Sequence, residues 1–110
     1  MNIIKQGDTM NYLINPQDIP HIINTDAYFI DLRDKYQFDD LHIKNFVNIP
    51  YEQFSSYLPT LSKNKPIYLL CQSGHIAKKL ALELVKQNYQ AYYIDGGFQA
   101  FINIPPSMYY

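Results

Sequence analysis

Cys71 is the one cysteine in 110 residues, and its surroundings are those of a reactive thiol. It follows the apolar run Ile67-Tyr68-Leu69-Leu70 and precedes the polar stretch Gln72-Ser73-Gly74, from which a strongly periodic apolar segment departs. A helix starting near Gly74 or His75 points its free N–H groups and the positive end of its dipole back at the sulfur, which favours thiolate over thiol. Gly74 lets the loop turn its amides inward as a nest for an anion or for the outer sulfur of a persulfide. The competing reading of a lone Cys is a small buried hydrophobe. His75, inside the loop, is placed to tune the charge on the sulfur or to donate to a bound anion, and equally to face solvent at the first helical turn. With no second Cys, an intrachain disulfide and dithiol redox chemistry are excluded. His21, His42 and His75 are scattered without the close spacing of a structural zinc site, so no metal is expected. Asp31 and Arg33 are candidates for the rim of the site, with a structural ion pair as the stronger reading. His42 reads as a structural histidine.

The elements that must carry this thiol alternate between strand and helix. Tyr12 to Ile14 reads as a strand, ended by Asn15-Pro16, with Asn15 as helix cap and Pro16 at the first helical position. Ile19, Ile22 and Ile23 give the helix to about Asn24 one apolar face. Ala27 to Leu32 returns to strand, Asp34 to Leu41 is a short helix, and Phe46 to Ile49 is a further strand closed by Pro50. Tyr51 to Leu61 has Tyr51, Phe54, Tyr57, Leu58 and Leu61 three or four apart and reads as helix despite Pro59. Ile67 to Leu70 is continuously apolar, as a strand covered on both faces of a parallel sheet must be. From His75 the rows Ile76-Leu80-Leu84 and Ala77-Ala81-Val85 mark the clearest helix, stopped at Asn88, a residue tolerated in the left-handed C-terminal position. Ala91 to Ile94 is the last strand before Gly96-Gly97, Phe98 to Phe101 begins a helical turn, and the Pro105-Pro106 tail reads as irregular. Such alternation implies an α/β fold with a mainly parallel central sheet of about five strands. The tyrosines, including the pairs Tyr92-Tyr93 and Tyr109-Tyr110, read as packing residues.

Length and composition bound one domain, residues 1–110, with its core from about 12 to 101. Nine Lys+Arg stand against ten Asp+Glu, Arg33 is the only arginine, and the lysines are dispersed, so a nucleic-acid surface is not expected. Residues 1–13 contain no apolar stretch of signal-peptide length, and the longest clean apolar run, Ile67 to Cys71, is far short of the roughly 20 residues that span a bilayer. A cytoplasmic protein without membrane partner or cofactor is the expectation.

Three segments together resemble the single-domain rhodanese-like sulfurtransferases, over nearly the whole chain from Tyr12 to Phe101. Phe29-Ile30-Asp31-Leu32-Arg33-Asp34, followed by Leu41 to Pro50, is similar to the family's D-[VL]-R and G-H-I-x-G-A-x-N-I-P segments, with Asp31 and His42 in matching register. Ile67 to Ala77 resembles the strand and active loop C-x-x-G-x-x-[SA], and Asp95 to Phe101 resembles the G-G-x-x-A-W close. The resemblance implies the three-layer rhodanese-like fold, with helices on both faces of the sheet. It also implies a persulfide on Cys71, held by the loop Gln72, Ser73, Gly74, His75, Ile76 and Ala77, with Asp31, Arg33 and His42 in support. The family often carries Arg directly after the Cys and again five residues after it; here Gln72 and Ile76 stand there. Gln37 replaces a frequent acidic residue, Leu41 and Asn45 replace glycines, and Phe101 replaces Trp.

The chemistry so implied is sulfur carriage or transfer. Cys71 attacks a sulfane-sulfur donor, which is a small molecule or a persulfidated protein, and passes the sulfur to a thiol or another nucleophilic acceptor, with weak activity on thiosulfate for want of loop cations. The alternative is a non-catalytic rhodanese-like module for protein binding or redox sensing. Phosphatase chemistry is improbable, because no Arg follows Cys71 to stabilise a phosphoryl-like transition state.

Overall fold

The computed structural model describes residues 11–103. Residues 1–10 of the amino-terminal segment read for a leader, the Pro105-Pro106 tail and the Tyr109-Tyr110 pair lie outside them. In chain order the elements are β1 (Leu13–Ile14), α1 (Ile19–Ile22), β2 (Tyr28–Asp31), α2 (Lys35–Asp40), β3 (Val47–Asn48), α3 (Phe54–Tyr57), β4 (Ile67–Leu70), α4 (His75–Lys86) and β5 (Ala91–Ile94). Turns of 3-10 helix precede α1 at Pro16–Asp18, flank α3 at Tyr51–Gln53 and Leu58–Thr60, and run from Gly97 to Asn103.

The sheet has five strands in the order β1-β5-β4-β2-β3, and every pairing is parallel, beyond the mainly parallel expectation. β4 is central, with Ile67, Leu69 and Leu70 fully buried, which is why its sequence is apolar without alternation. One face is covered by α4 through Ala77, Leu80, Ala81 and Leu84, together with Phe54 of α3. The other face packs Ile19 and Ile23 from the α1 region, Ile43, Phe46 and Phe101 against Phe29, Leu70 and Ile94. The result is three layers with helices on both sides of the sheet. On that second face Phe29, Tyr68 and Tyr92 stand in register across three strands, with successive rings stacked at 5.2 and 5.3 Å.

Several local expectations are corrected. Asn15 sits at the cap position in extended backbone, but its side chain makes no capping hydrogen bond. The expected Tyr51–Leu61 helix is three short pieces, two 3-10 turns around one turn of α-helix. Pro59 has no N–H to donate and its ring crowds the preceding turn, so a regular helix does not continue. Tyr51 and Tyr57 are consequently exposed, as is Tyr36, so these tyrosines are not packing residues. Ile76 is exposed as well; α4 turns Ala77, Leu80, Ala81 and Leu84 to the sheet and leaves Ile76 at its outer edge. Among the described residues no helix is long and apolar enough to cross a membrane.

Candidate active site

Parallel order places the carboxyl ends of β2 and β4 side by side, because Asp31 is registered against Leu70 and the Leu32 amide donates to the Leu70 carbonyl at 2.7 Å. Cys71 is the next residue and is 4% exposed. The loop then reverses at Gly74, whose φ of 98° belongs to the left-handed region, and α4 begins at His75. This reversal aims two backbone amides at the sulfur: Gly74 N–H donates to Sγ at 3.1 Å and Ala77 N–H at 3.3 Å. The site is thus an anion nest at the head of a twelve-residue helix, and negative charge on sulfur there is stabilised by fixed dipoles.

The far end of the chain holds this loop in shape. Phe98 N–H donates to the Cys71 carbonyl at 2.8 Å and Gln99 N–H to the Gln72 carbonyl at 3.2 Å. Gly97 lies at a φ of 65°, and a β-carbon placed on it would fall 2.7 Å from both the Gln72 carbonyl oxygen and the Gly74 nitrogen. No side chain fits between the two backbones. The sequence carried a signal for this role in the paired Gly96-Gly97, but not the contact that explains it.

Arg33 lines the cleft as well, with Asp31 behind it. Asp31 is fully buried and Arg33 is 6% exposed. The guanidinium meets the carboxylate through Nε at 3.1 Å to both oxygens and Nη2 at 3.0 Å to Oδ2, and Nη2 also donates to the Leu41 carbonyl at 2.7 Å. The Arg33 amide donates to Asp31 Oδ1, and Asn48 Nδ2 donates to the carbonyls of both residues. Phe98 lies under the guanidinium, 3.8 Å from its ring centre, a contact the sequence did not suggest.

The expected loop residues separate on inspection. Gln72 lines the cleft, and its buried Oε1 has no hydrogen-bond partner. Ser73 and His75 are exposed and engage each other, Oγ to Nδ1 at 3.0 Å, so the His75 ring is turned to Ser73. Ile76 lines the mouth of the cleft and Ala77 is fully buried behind the sulfur. His42 is not part of the cleft: its Nδ1 pairs with the Phe38 carbonyl at 2.7 Å and its ring stacks on Phe38. The cleft measures about 270 Å³ and holds Cys71, Gln72 and Ile76 with Leu32, Asp34, Tyr51 and Glu52. Tyr51 and Glu52 had no signal in the sequence, because only the parallel placement of β3 beside β2 brings the turn after Pro50 to this end of the sheet. Among the described residues no cluster of three or more His, Cys, Asp or Glu side chains is arranged to hold a metal.

Comparison with known proteins agrees with this geometry. The sequence matches the family described as "Rhodanese-like domain" over residues 11–104. It is 26% identical to the thiosulfate sulfurtransferase GlpE of Stutzerimonas stutzeri over 95 residues, covering 86% of this chain and 87% of that one. It is 27% identical over 88 residues to the tRNA uridine(34) hydroxylase of Hamiltonella defensa, covering 74% of this chain but 25% of the hydroxylase. Among solved structures, reduced Bacillus anthracis CoADR-RHD superposes with a TM-score of 0.79 at 27% identity, over 88% of this chain and 17% of that one. A rhodanese-like domain protein from Staphylococcus aureus superposes with a TM-score of 0.73 at 21% identity, over 81% and 89% of the two chains.

Proposed function

This chain belongs to the rhodanese-like domain family, and we propose that it is a cytoplasmic sulfurtransferase whose carrier is a persulfide on Cys71. The observation that carries the reading is the pair of amides, Gly74 and Ala77, converging on a cysteine sulfur at the floor of a cleft. In the first step the Cys71 thiolate attacks the sulfane sulfur of a donor, the donor's sulfur bond breaks, and the remainder leaves with the bonding electron pair. The new Cys71–S–S⁻ carries its charge on the outer sulfur, towards the loop nest. In the second step an acceptor thiolate attacks that outer sulfur, and Cys71 departs as thiolate. Covalent catalysis of this kind divides the transfer into two displacements and needs no electron source.

The charges around the cleft bear on the donor. Its one cation, Arg33, is paired with Asp31, while Asp34 and Glu52 face the opening. Dianionic thiosulfate therefore meets no free cation in the cleft, and a low-molecular-weight persulfide or a persulfidated protein is the better donor. Intact mass after incubation with a polysulfide should rise by one sulfur in the wild type and stay constant in Cys71→Ala; a wild-type protein that takes up no sulfur sinks the proposal and leaves a binding or sensing module. A high thiosulfate:cyanide rate with tight thiosulfate binding would overturn the choice of donor.

A further inference from the structure

The cleft that holds Cys71 does not end at the sulfur. A second recess of about 410 Å³ runs outward beside α2, lined by Tyr36, Asp40, Leu41 and Phe98, and it shares Arg33, Gln37 and Gln72 with the first. Much of the rim of the two is apolar where solvent contact would favour polar groups. Tyr36 is 72% exposed, Ile76 45%, and Tyr51 and Leu41 38% each; of the large hydrophobic side chains exposed among the described residues, all but Val47 and Tyr57 stand around this opening. Apolar side chains gathered in this way mark an interaction surface, whereas isolated ones need no explanation.

Charge narrows the occupant. The two recesses are lined by the exposed acids Asp34, Asp40 and Glu52, and their only cation is Arg33, buried against Asp31. Lys35, on the same helix as Asp40, pairs with Asp39 and lines neither recess. In a chain of net charge -1 this is a local concentration of negative charge. Gln72 lies where the recesses meet, and its buried Oε1 lacks a donor that a bound peptide N–H would supply.

Resting on the sulfur-transfer reading above, we propose that this rim docks the sulfur acceptor, and that the acceptor is a cysteine-bearing segment of a second protein with cationic and apolar side chains flanking the thiol. The segment lies along the recess beside α2, its lysine or arginine side chains reach Asp34, Asp40 and Glu52, and its apolar side chains cover Tyr36 and Ile76. Its thiolate attacks the outer sulfur of the Cys71 persulfide, the Cys71 S–S bond breaks, the partner leaves as a persulfide and Cys71 returns to thiolate. The recess adds about 410 Å³ to the 270 Å³ of the cysteine cleft, more room than a small thiol fills.

The test loads Cys71 with sulfur from a polysulfide, verifies the loading by mass, and measures second-order transfer to three acceptors. These are a blocked pentapeptide with Cys between two Leu and Lys at both ends, the same peptide with Glu at both ends, and 2-mercaptoethanol. The Lys peptide should react about tenfold faster than the Glu peptide, at the low end of electrostatic steering. That ratio should collapse near 1 M salt, where the Debye length is about 3 Å. In the doubly substituted Asp40→Lys, Glu52→Lys protein the preference should invert, which intrinsic thiol reactivity would not produce. Equal rates for the two peptides, a ratio unmoved by the substitutions, or transfer to 2-mercaptoethanol as fast as to the Lys peptide overturns the docking proposal while sulfur transfer stands. A loaded protein that gives sulfur to none of the three, nor to cyanide, fails the sulfur-transfer reading itself.

Discussion

The Asp31–Arg33 pair shows how a charged residue beside a reactive centre is held out of the chemistry. Both side chains are almost removed from water, and the carboxylate receives the Arg33 amide, Nε and Nη2. With Nε and Nη2 both committed to Asp31 and Leu41, the guanidinium does not present that fork to an incoming anion. Its contribution is to fix the turn after β2 against the Leu41 carbonyl at the end of α2, with Phe98 as its floor. Removing one member of a buried pair leaves the other charge uncompensated, so Asp31→Ala should destabilise the protein by about 3–5 kcal/mol, read from the urea unfolding midpoint. A loss below about 1 kcal/mol would show that the pair carries little structural load. Sequence reasoning reached the pairing of Asp31 with Arg33, since the residues are two apart at a strand end. It did not reach Phe98, which arrives from 65 positions later in the chain. At Asn45 the residue type was informative: its φ of 70° is a left-handed position where the family has Gly, and Asn is among the side chains that tolerate it.

The element that decides the shape of the cysteine loop is the turn of 3-10 helix beginning at Gly97. Its first amides satisfy the Cys71 and Gln72 carbonyls, so the loop is clamped between α4 and the start of the last described element. Gly97→Ala inserts a methyl carbon into a contact that is already backbone against backbone, at a φ that disfavours any side chain. The expected result is a loss of about 1–3 kcal/mol in stability and a larger proportional loss of sulfur uptake at Cys71, because the strain falls on the loop that supplies the Gly74 amide. Far-ultraviolet circular dichroism and uptake by mass measure the two effects separately, and uptake equal to wild type would refute the clamp. At this scale the readings of α4 and the strands succeeded through periodicity and continuous apolar runs. The Tyr51–Leu61 segment failed because aromatic spacing suggested an apolar face that Pro59 and the neighbouring turns do not let form.

Across the whole molecule, five short parallel strands gain their stability from burial on both faces and from side chains stacked in register. The Phe29, Tyr68 and Tyr92 stack places the Tyr68 phenol where its ionisation is disfavoured. Burial first, and then the Tyr92 phenol beside it, push the Tyr68 hydroxyl above its ordinary value near 10; burial and then Asp95 do the same for Tyr93. In the unfolded chain these phenols ionise near pH 10, so above that pH the folded state holds more protons than the unfolded one and stability falls as pH rises. Below pH 10 the contribution is fully present; it is lost through the raised folded-state values. Urea midpoints measured from pH 8 to pH 11 should be flat to about pH 10 and then decline, and Tyr68→Phe should make the decline shallower. An unchanged slope in that variant would assign the alkaline loss to other groups.

Taken alone, the sequence determined the alternating α/β plan, the parallel sheet and the position of Cys71 between a buried strand and the strongest helix. Those features depend on local periodicity, on residue volume and on turn chemistry, which a linear chain displays. The folded arrangement settles which amides reach the sulfur, that Gly97 closes the loop, that His42 stands on Phe38 apart from the cleft, and that Tyr36, Leu41, Tyr51 and Ile76 gather around one opening. The contacts at the sulfur and at His42 span only three to six residues and follow the backbone path of their own turns, whereas the Gly97 closure and the gathered rim are meetings of segments far apart in the chain. The strand order β1-β5-β4-β2-β3 creates them, and no local preference of the residues involved encodes that order.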